Sequence, residues 1–154
     1  FLVTLIIMFL FVGMGYALNP QAACHYLDNI SGLATDGYKY DGYEYFCCSP
    51  YKMLDSNRTN LAYYTEGTAG NVKKTYLVLN VYYGSNIASV HNSLIQASKL
   101  LAKKAINYDL PQSIIVSLQK GNTSSWKHGK YLISVTKEFF PSGRGYEIHF
   151  NIEE

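Results

Sequence analysis

Residues 87–107 read IASVHNSLIQASKLLAKKAIN, and this stretch decides the fold class. Its apolar residues recur at helical spacing: Ile87, Val90, Leu94, Ala97, Leu101 and Ala105. Such a stripe predicts an amphipathic helix that lays its apolar side on another layer of structure. Ser85 or Asn86 can cap its first turn, and Leu110-Pro111 ends it. The centre of the chain is therefore expected to be one long helix over about 87–107.

Strand patterns flank this helix on both sides. The expected strands are Leu61–Tyr64 and Val72–Tyr83 before it, then Ser113–Leu118, Tyr131–Phe139 and Tyr146–Ile152 after it. In the last of these, apolar residues at even positions from 146 to 152 alternate with polar residues at odd positions. Strict alternation predicts an antiparallel sheet with one face on the core and one in water.

The order of these elements, ββαβββ, predicts an α+β fold. We expect an antiparallel sheet of about five strands with the long helix packed on one face. A short helix over Pro20–Asn29 and a Tyr/Gly/Cys-rich segment, Ser31–Pro50, precede them. About 137 residues suit one hydrophobic core, so 18–154 is expected to be a single domain.

The N-terminal residues predict export. Phe1–Val12 reads FLVTLIIMFLFV, and the small residues Gly15 and Ala17 follow in the pattern of a signal-peptide cleavage site. The basic region of such a peptide would lie upstream of Phe1. Residues 1–17 are therefore interpreted as a signal peptide, and 18–154 as periplasmic or extracellular. The alternative is an uncleaved membrane anchor, because bilayer-spanning helices need about 17–25 residues.

Three cysteines, Cys24, Cys47 and Cys48, fit one disulfide and one spare thiol in an oxidising compartment. Successive residues of a strand point to opposite faces, so Cys24 can pair with Cys47 or with Cys48 but the same geometry cannot serve both. Phe46 is the most apolar neighbour, and if it is buried Cys48 is buried with it. We therefore favour Cys24–Cys48 over Cys24–Cys47. An intermolecular bridge and a vicinal Cys47–Cys48 bond are alternatives.

Tyrosine is abundant, with 15 residues, and four of them lie close together at Tyr38, Tyr40, Tyr43 and Tyr45. Asp41-Gly42 between them predicts a turn that joins two short extended pieces. Tyrosine offers a large contact area at low entropic cost, so this segment is a candidate partner-binding surface. Half-buried strand residues are the alternative.

Trp126 lies in the polar stretch 121–129, which is expected to protrude as a loop between two strands. An aromatic side chain at such a position can anchor a partner or fold back onto the core. We retain Trp126 as a candidate binding residue.

Several function classes lack support. A net charge of +2 is too small to indicate nucleic-acid binding. The histidines show no metal-ligand spacing, and we predict no metal site and no cofactor. The charges are nevertheless uneven: residues 28–55 hold five acidic and two basic residues, which makes this part of the chain acidic.

Export, a compact α+β domain and a tyrosine-rich segment, without a catalytic motif, favour a small binding or inhibitor-type protein whose partner is another protein. A surface-assembly subunit is one alternative, suggested by the odd cysteine. An exported hydrolase is another, with a site formed only on folding. Its candidate residues are His25, His91, His128, His149, Asp36, Asp41 and Glu44.

Overall fold

The computed structural model describes residues 18–154, and the signal-peptide or anchor prediction for residues 1–17 lies outside this range. The helices are α1 (Pro20–Cys24), α2 (Ile87–Ile106) and α3 (Gln112–Lys120). The strands are β1 (Lys39–Tyr40), β2 (Tyr45–Cys48), β3 (Lys52–Met53), β4 (Asn60–Thr68), β5 (Asn71–Tyr82), β6 (Ser124–His128), β7 (Tyr131–Phe139) and β8 (Gly145–Glu153). Within 18–154, no helix is both long enough and apolar enough to span a membrane.

The strands of the described residues form one antiparallel sheet in the order β1-β2-β4-β5-β8-β7-β6. The short strand β3 pairs with the first residues of β4, and β2 pairs with the later ones. β5 and β8 pair along nine residues, from Lys74 opposite Glu153 to Tyr82 opposite Gly145. This pairing joins the hairpin that precedes α2 to the meander that follows α3. The α+β class and the antiparallel sheet are confirmed, but the sheet has eight strands where about five were expected.

The long helix is confirmed and lies on the sheet as expected. Asn86 caps α2 by accepting a hydrogen bond from the amide of Ser89, and Asn107 ends the helix in the left-handed conformation. Its apolar side is buried from Val90 to Ala102 and shares one core with the inner sides of β4, β5, β7 and β8, while Ile87 in the first turn is 43% exposed. α1 and α3 add buried residues on this same side of the sheet. Among residues 18–154, the opposite side, here called the open face, carries no helix.

Ser113–Leu118 was expected to be a strand, and this prediction is wrong, because the stretch lies in α3. The β-branched residues Ile114-Ile115-Val116 suggested a strand, but burial falls on Ile114, Ile115 and Leu118, which share one side of a helix. Pro111 at the N-cap and Gly121 in the left-handed conformation at the C-cap mark the two ends. These end signals outweigh the local preference for a strand.

The loop expected over 121–129 contains the edge strand β6, which forms a hairpin with β7 across Gly129-Lys130. Gly129 has a positive φ of 58°, as a two-residue hairpin turn requires. Trp126 therefore lies in the middle of a strand, opposite Ile133, and not at a loop tip.

The N-terminal segment is fixed by short elements and buried polar bonds. α1 ends at Cys24, and hydrogen-bonded turns replace the rest of the helix expected to run to Asn29. The hydroxyl of Tyr63, fully buried in β4, donates to the carbonyl oxygen of Ala23 at 2.7 Å and accepts from Thr75 at 2.9 Å. α1 is thereby bonded to the centre of the sheet.

Candidate functional site

The tyrosine-rich segment is a hairpin at one edge of the sheet. β1 and β2 pair through Lys39 opposite Phe46 and Tyr40 opposite Tyr45. The Asp41 carboxylate accepts hydrogen bonds from the amides of Tyr43 and Glu44 at 2.9 and 3.1 Å, which closes the turn. These bonds to the ionised form lower the pKa of Asp41. The expected turn at Asp41-Gly42 between two extended pieces is confirmed.

Three of the four tyrosines form a stack on the helix side of this hairpin. The ring of Tyr45 lies between those of Tyr38 and Tyr40, at centroid distances of 5.8 and 5.1 Å. The Tyr38 hydroxyl donates to the carbonyl oxygen of Thr68, and the Tyr40 hydroxyl donates to that of Gly42. Tyr43 stands at the turn with 95% of its surface exposed, and Tyr40 is 57% exposed. The stack therefore presents rings held in fixed orientations to solvent.

A disulfide ties this hairpin to α1, and it joins Cys24 to Cys47 with a Cα–Cα distance of 6.0 Å. The favoured Cys24–Cys48 pairing is wrong. Cys47 points to the helix side, where it is fully buried and its Sγ lies 3.0 Å from Thr65 Oγ1. Phe46 is only half-buried and shares the open face with Cys48, which carries the unpaired thiol. The assumption that Phe46 lies in the core was the error.

Trp126 lies far from the tyrosines. It belongs to β6 at the opposite edge of the sheet and is half-buried against the main core. Six strand spacings of about 4.8 Å separate β1 from β6, roughly 29 Å in all. The structure therefore does not unite Trp126 with the tyrosine hairpin, and its role in binding stays a separate prediction.

The open face of the sheet is built from rows of side chains that the strand register places next to one another. One row runs through Phe46, Glu66, Lys74, Glu153 and Leu132, and the next through Cys48, Tyr64, Tyr76, Asn151 and Ser134. At the end nearest β2 these rows enclose a depression of about 200 Å³. Its lining residues are Asp41, Glu44, Phe46, Cys48, Tyr64, Thr65, Glu66 and Tyr76.

Aromatic rings form the floor of this depression. The rings of Tyr64 and Tyr76 stack with their centroids 5.0 Å apart and their planes at 15°. The Tyr76 hydroxyl donates a hydrogen bond to Glu66. Burial, and next the bond to the Glu66 carboxylate, raise the pKa of Tyr76, so its hydroxyl stays protonated as a donor.

Three carboxylates surround the floor: Asp41, Glu44 and Glu66. The pKa of Glu44 is raised, first by desolvation and then by the negative charges of Glu66 and Asp41. Sequence reasoning assigned no binding role to Phe46, Tyr64, Glu66 or Tyr76. Alternation within β4 places Tyr64 and Glu66 on one face, and alternation within β5 places Lys74 and Tyr76 on one face. Which residues of the two strands lie side by side depends on the register of their pairing, and the sequence of each strand alone does not show it.

The histidines proposed for a hydrolytic site lie apart from one another. His25 contacts Asp28 at 2.8 Å, His128 stacks on Tyr108, and His149 lies 3.3 Å from Glu147. Of the carboxylates proposed with them, Asp36 pairs with Lys39, while Asp41 and Glu44 line the same depression. Within 18–154, no group of three or more His, Cys, Asp or Glu residues is placed to hold a metal ion.

His91 is buried in the core and bonded at both ring nitrogens. Its Nδ1 lies 2.8 Å from the carbonyl oxygen of Gln119, and its Nε2 lies 2.9 Å from the Tyr146 hydroxyl. A carbonyl oxygen can only accept, so Nδ1 carries the proton and the neutral ring accepts from Tyr146 at Nε2. His91 thus connects α2, α3 and β8.

Comparisons with protein-family models, with curated proteins and with solved structures found no match to this chain.

Proposed function

We propose that this protein is a small exported binding or inhibitor-type protein that contacts another protein through the tyrosine hairpin, residues 38–45. The observation that carries this proposal is the exposure of Tyr40 and Tyr43 at the tip of a hairpin anchored to the body of the protein. Exposed tyrosines are typical anchors of protein interfaces, because one rigid ring supplies both apolar area and a hydrogen-bonding tip.

The hairpin is also pre-organised for binding. β2 pairs with β4, the Cys24–Cys47 disulfide holds it from the helix side, and the Asp41 carboxylate closes the turn. A surface that is already ordered loses less conformational entropy on association, which favours affinity. The geometry therefore supports recognition of a partner by the tyrosine hairpin as a rigid surface.

The disulfide also supports a location outside the cytoplasm. Disulfides persist in oxidising surroundings and are rare in the reducing cytosol, so the Cys24–Cys47 pair fits a protein located outside the cytoplasm. Delivery by residues 1–17, to the periplasm or the extracellular space, remains part of the proposal. So does the assignment of residues 18–154 as one exported domain.

The test is capture of a partner by the Tyr40→Ala/Tyr43→Ala variant compared with the wild-type protein. Both would be immobilised and incubated with the extracytoplasmic extract of the source cells, and bound proteins identified by mass spectrometry. Tyr83→Ala is the matched control, because Tyr83 is 65% exposed and lies outside the hairpin. We expect a protein retained by the wild type and by the control and lost from the double variant. Equal retention by all three would contradict the proposal.

A surface-assembly subunit is a second candidate, favoured by the unpaired thiol of Cys48 on the open face. Cys48 is half-buried, and a thiol that is accessible in part can link two chains in an oxidising compartment. Size-exclusion chromatography under oxidising conditions tests this alternative. A disulfide-linked oligomer that Cys48→Ser abolishes would support it, and a monomer would argue against it.

A further inference from the structure

The depression on the open face next to the tyrosine hairpin combines two features that attract the same kind of ligand. Its floor is the stacked pair Tyr64 and Tyr76 together with Phe46, and its edge carries the three carboxylates described above. Ring faces and carboxylates both attract cations. No basic residue is among those that line the depression.

The chain itself shows that these rings attract cations. Lys39 Nζ lies 5.6 Å from the ring centroid of Phe46, and Lys74 Nζ lies 4.7 Å from that of Tyr76. Each lysine is ion-paired to a carboxylate outside the depression, Lys39 to Asp36 at 2.5 Å and Lys74 to Glu153 at 3.4 Å. Lys39 therefore lies over a face of Phe46, and Lys74 lies over the face of Tyr76 that is not stacked on Tyr64. Among the described residues, the carboxylates that line the depression have no lysine paired to them.

Glu44 has the least compensated charge of the three. Tyr43 and Glu44 amides hold the Asp41 carboxylate, and the Tyr76 hydroxyl holds Glu66. Within 18–154, no hydrogen bond or ion pair of the Glu44 carboxylate is found, and the residue is exposed. A cation at this position would relieve the mutual repulsion of Glu44, Glu66 and Asp41.

We propose that this depression is a docking site for a basic side chain, an arginine in preference to a lysine, carried by the protein partner. This inference rests on the proposed function and assigns the chemistry that the partner presents beside the tyrosine hairpin. The guanidinium group would stack on the face of Tyr64 that Tyr76 leaves uncovered and bond Glu44 and Glu66 at the edge.

The geometry favours arginine for two reasons. A planar guanidinium can lie flat on a ring and donate in its own plane to carboxylates at the edge, whereas an ammonium group is a more strongly hydrated point charge. The size also fits one side chain: small-molecule pockets hold about 300–1,000 Å³, and this depression holds about 200 Å³. The volume therefore suits a single side chain of a larger partner, and the tyrosine hairpin would supply the surrounding contact area.

The test is an NMR titration of the uniformly ¹⁵N-labelled protein with N-acetyl-L-arginine amide. The matched probe is N-acetyl-L-citrulline amide, which has nearly the same shape without the charge. We expect saturable shifts confined to amides around Glu44, Phe46, Tyr64 and Tyr76, with binding of the citrulline probe at least roughly fivefold weaker. Equal binding of the two probes, or shifts scattered over the whole protein, would overturn the proposal.

The variants sharpen this test. Glu44→Gln/Glu66→Gln removes two charges while the new amide oxygen at position 66 can still accept from Tyr76, and we expect it to weaken the arginine probe roughly fivefold or more. Glu138→Gln, an exposed position in β7 on the other half of the sheet, should leave binding unchanged. If the double variant does not fold, as its spectrum will show, Glu44→Gln alone replaces it. Undiminished arginine binding in the folded variant would contradict the inference.

The inference and the proposed function can fail separately. Tyr40→Ala/Tyr43→Ala should bind the arginine probe as the wild type does, because neither ring lines the depression. If the wild-type protein captures a partner but does not bind the arginine probe, only the docking site for arginine is contradicted. If the protein binds the arginine probe and the Tyr40→Ala/Tyr43→Ala variant captures the partner as well as the wild type does, the proposed role of the tyrosine hairpin is wrong.

Discussion

The N-terminal segment, residues 18–53, and the body, residues 60–154, are held together in different ways. The body has fully buried apolar side chains on α2, α3 and the four central strands around one core. The N-terminal segment is joined to the body by the pairing of β2 with β4, by the Tyr63 hydroxyl bond to Ala23, and by a few buried residues such as Leu27 and Leu33. The Cys24–Cys47 disulfide lies within the segment and cross-links α1 to β2. The comparison teaches that apolar packing supports the scaffold, while strand pairing and polar bonds place the tyrosine hairpin on it and a cross-link fixes the hairpin to α1.

The largest expected effect on stability comes from removing a core side chain of the body. Phe150 in β8 is fully buried in the core, so Phe150→Ala should lower the free energy of unfolding by about 3–5 kcal/mol. Phe139→Ala is the control, because Phe139 is 69% exposed, and its cost should stay within about 1 kcal/mol. Chemical denaturation measures both. Similar losses for the two variants would contradict the assignment of the core.

A smaller effect should follow from removing the cross-link. Cys24→Ala/Cys47→Ala opens a loop with a sequence separation of 23 residues, and the chain-entropy model gives a loss of about 3 kcal/mol. Hydrogen exchange should show faster exchange in β1 and β2 than in β5 and β8, because both cysteines lie in the N-terminal segment and only this segment loses a cross-link. Cys48→Ser, which removes the unpaired thiol, should exchange as the wild type. A uniform loss of protection would show that the two regions unfold as one unit.

Periodicity was sufficient to predict most of the body, with two exceptions, α3 and β6. α2, the β4–β5 hairpin and the β7–β8 hairpin follow from spacings that local sequence displays over many residues. α3 was missed because three successive β-branched residues outweighed its proline and glycine end signals. β6 was missed because polar residues at an edge strand do not alternate clearly with apolar ones.

The candidate site was harder to predict, because it depends on contacts between distant residues. The turn at Asp41-Gly42 is local and was predicted, but the choice of Cys47 over Cys48 depends on which face of β2 meets the core. The Tyr64–Tyr76 stack and the neighbouring Glu66 require the register between β4 and β5. Sequence patterns show which residues share a face of one strand and do not show which strands meet.

The smallest expected effect concerns His91, where the body depends on a polar link and not on packing alone. Burial is the main cause that lowers the pKa of His91 below its ordinary value of 6.5, and the positive charge of Lys137 adds to it. The unfolded chain therefore binds a proton more readily than the folded one. The contribution to stability is complete above about pH 6.5 and declines as pH falls toward the folded-state pKa.

His91→Gln isolates this contribution, because the glutamine amide can donate to the Gln119 carbonyl oxygen and accept from the Tyr146 hydroxyl without titrating. Denaturation midpoints measured at pH 7.5 and 5.5 should fall further for the wild type than for the variant. Carboxylates with lowered pKa values, such as Asp55 and Glu154, affect both proteins alike and cancel in the difference. An equal fall in the two proteins would show that protonation of His91 costs the fold nothing. The body would then depend on apolar packing at this position too, and the contrast with the N-terminal segment would become sharper.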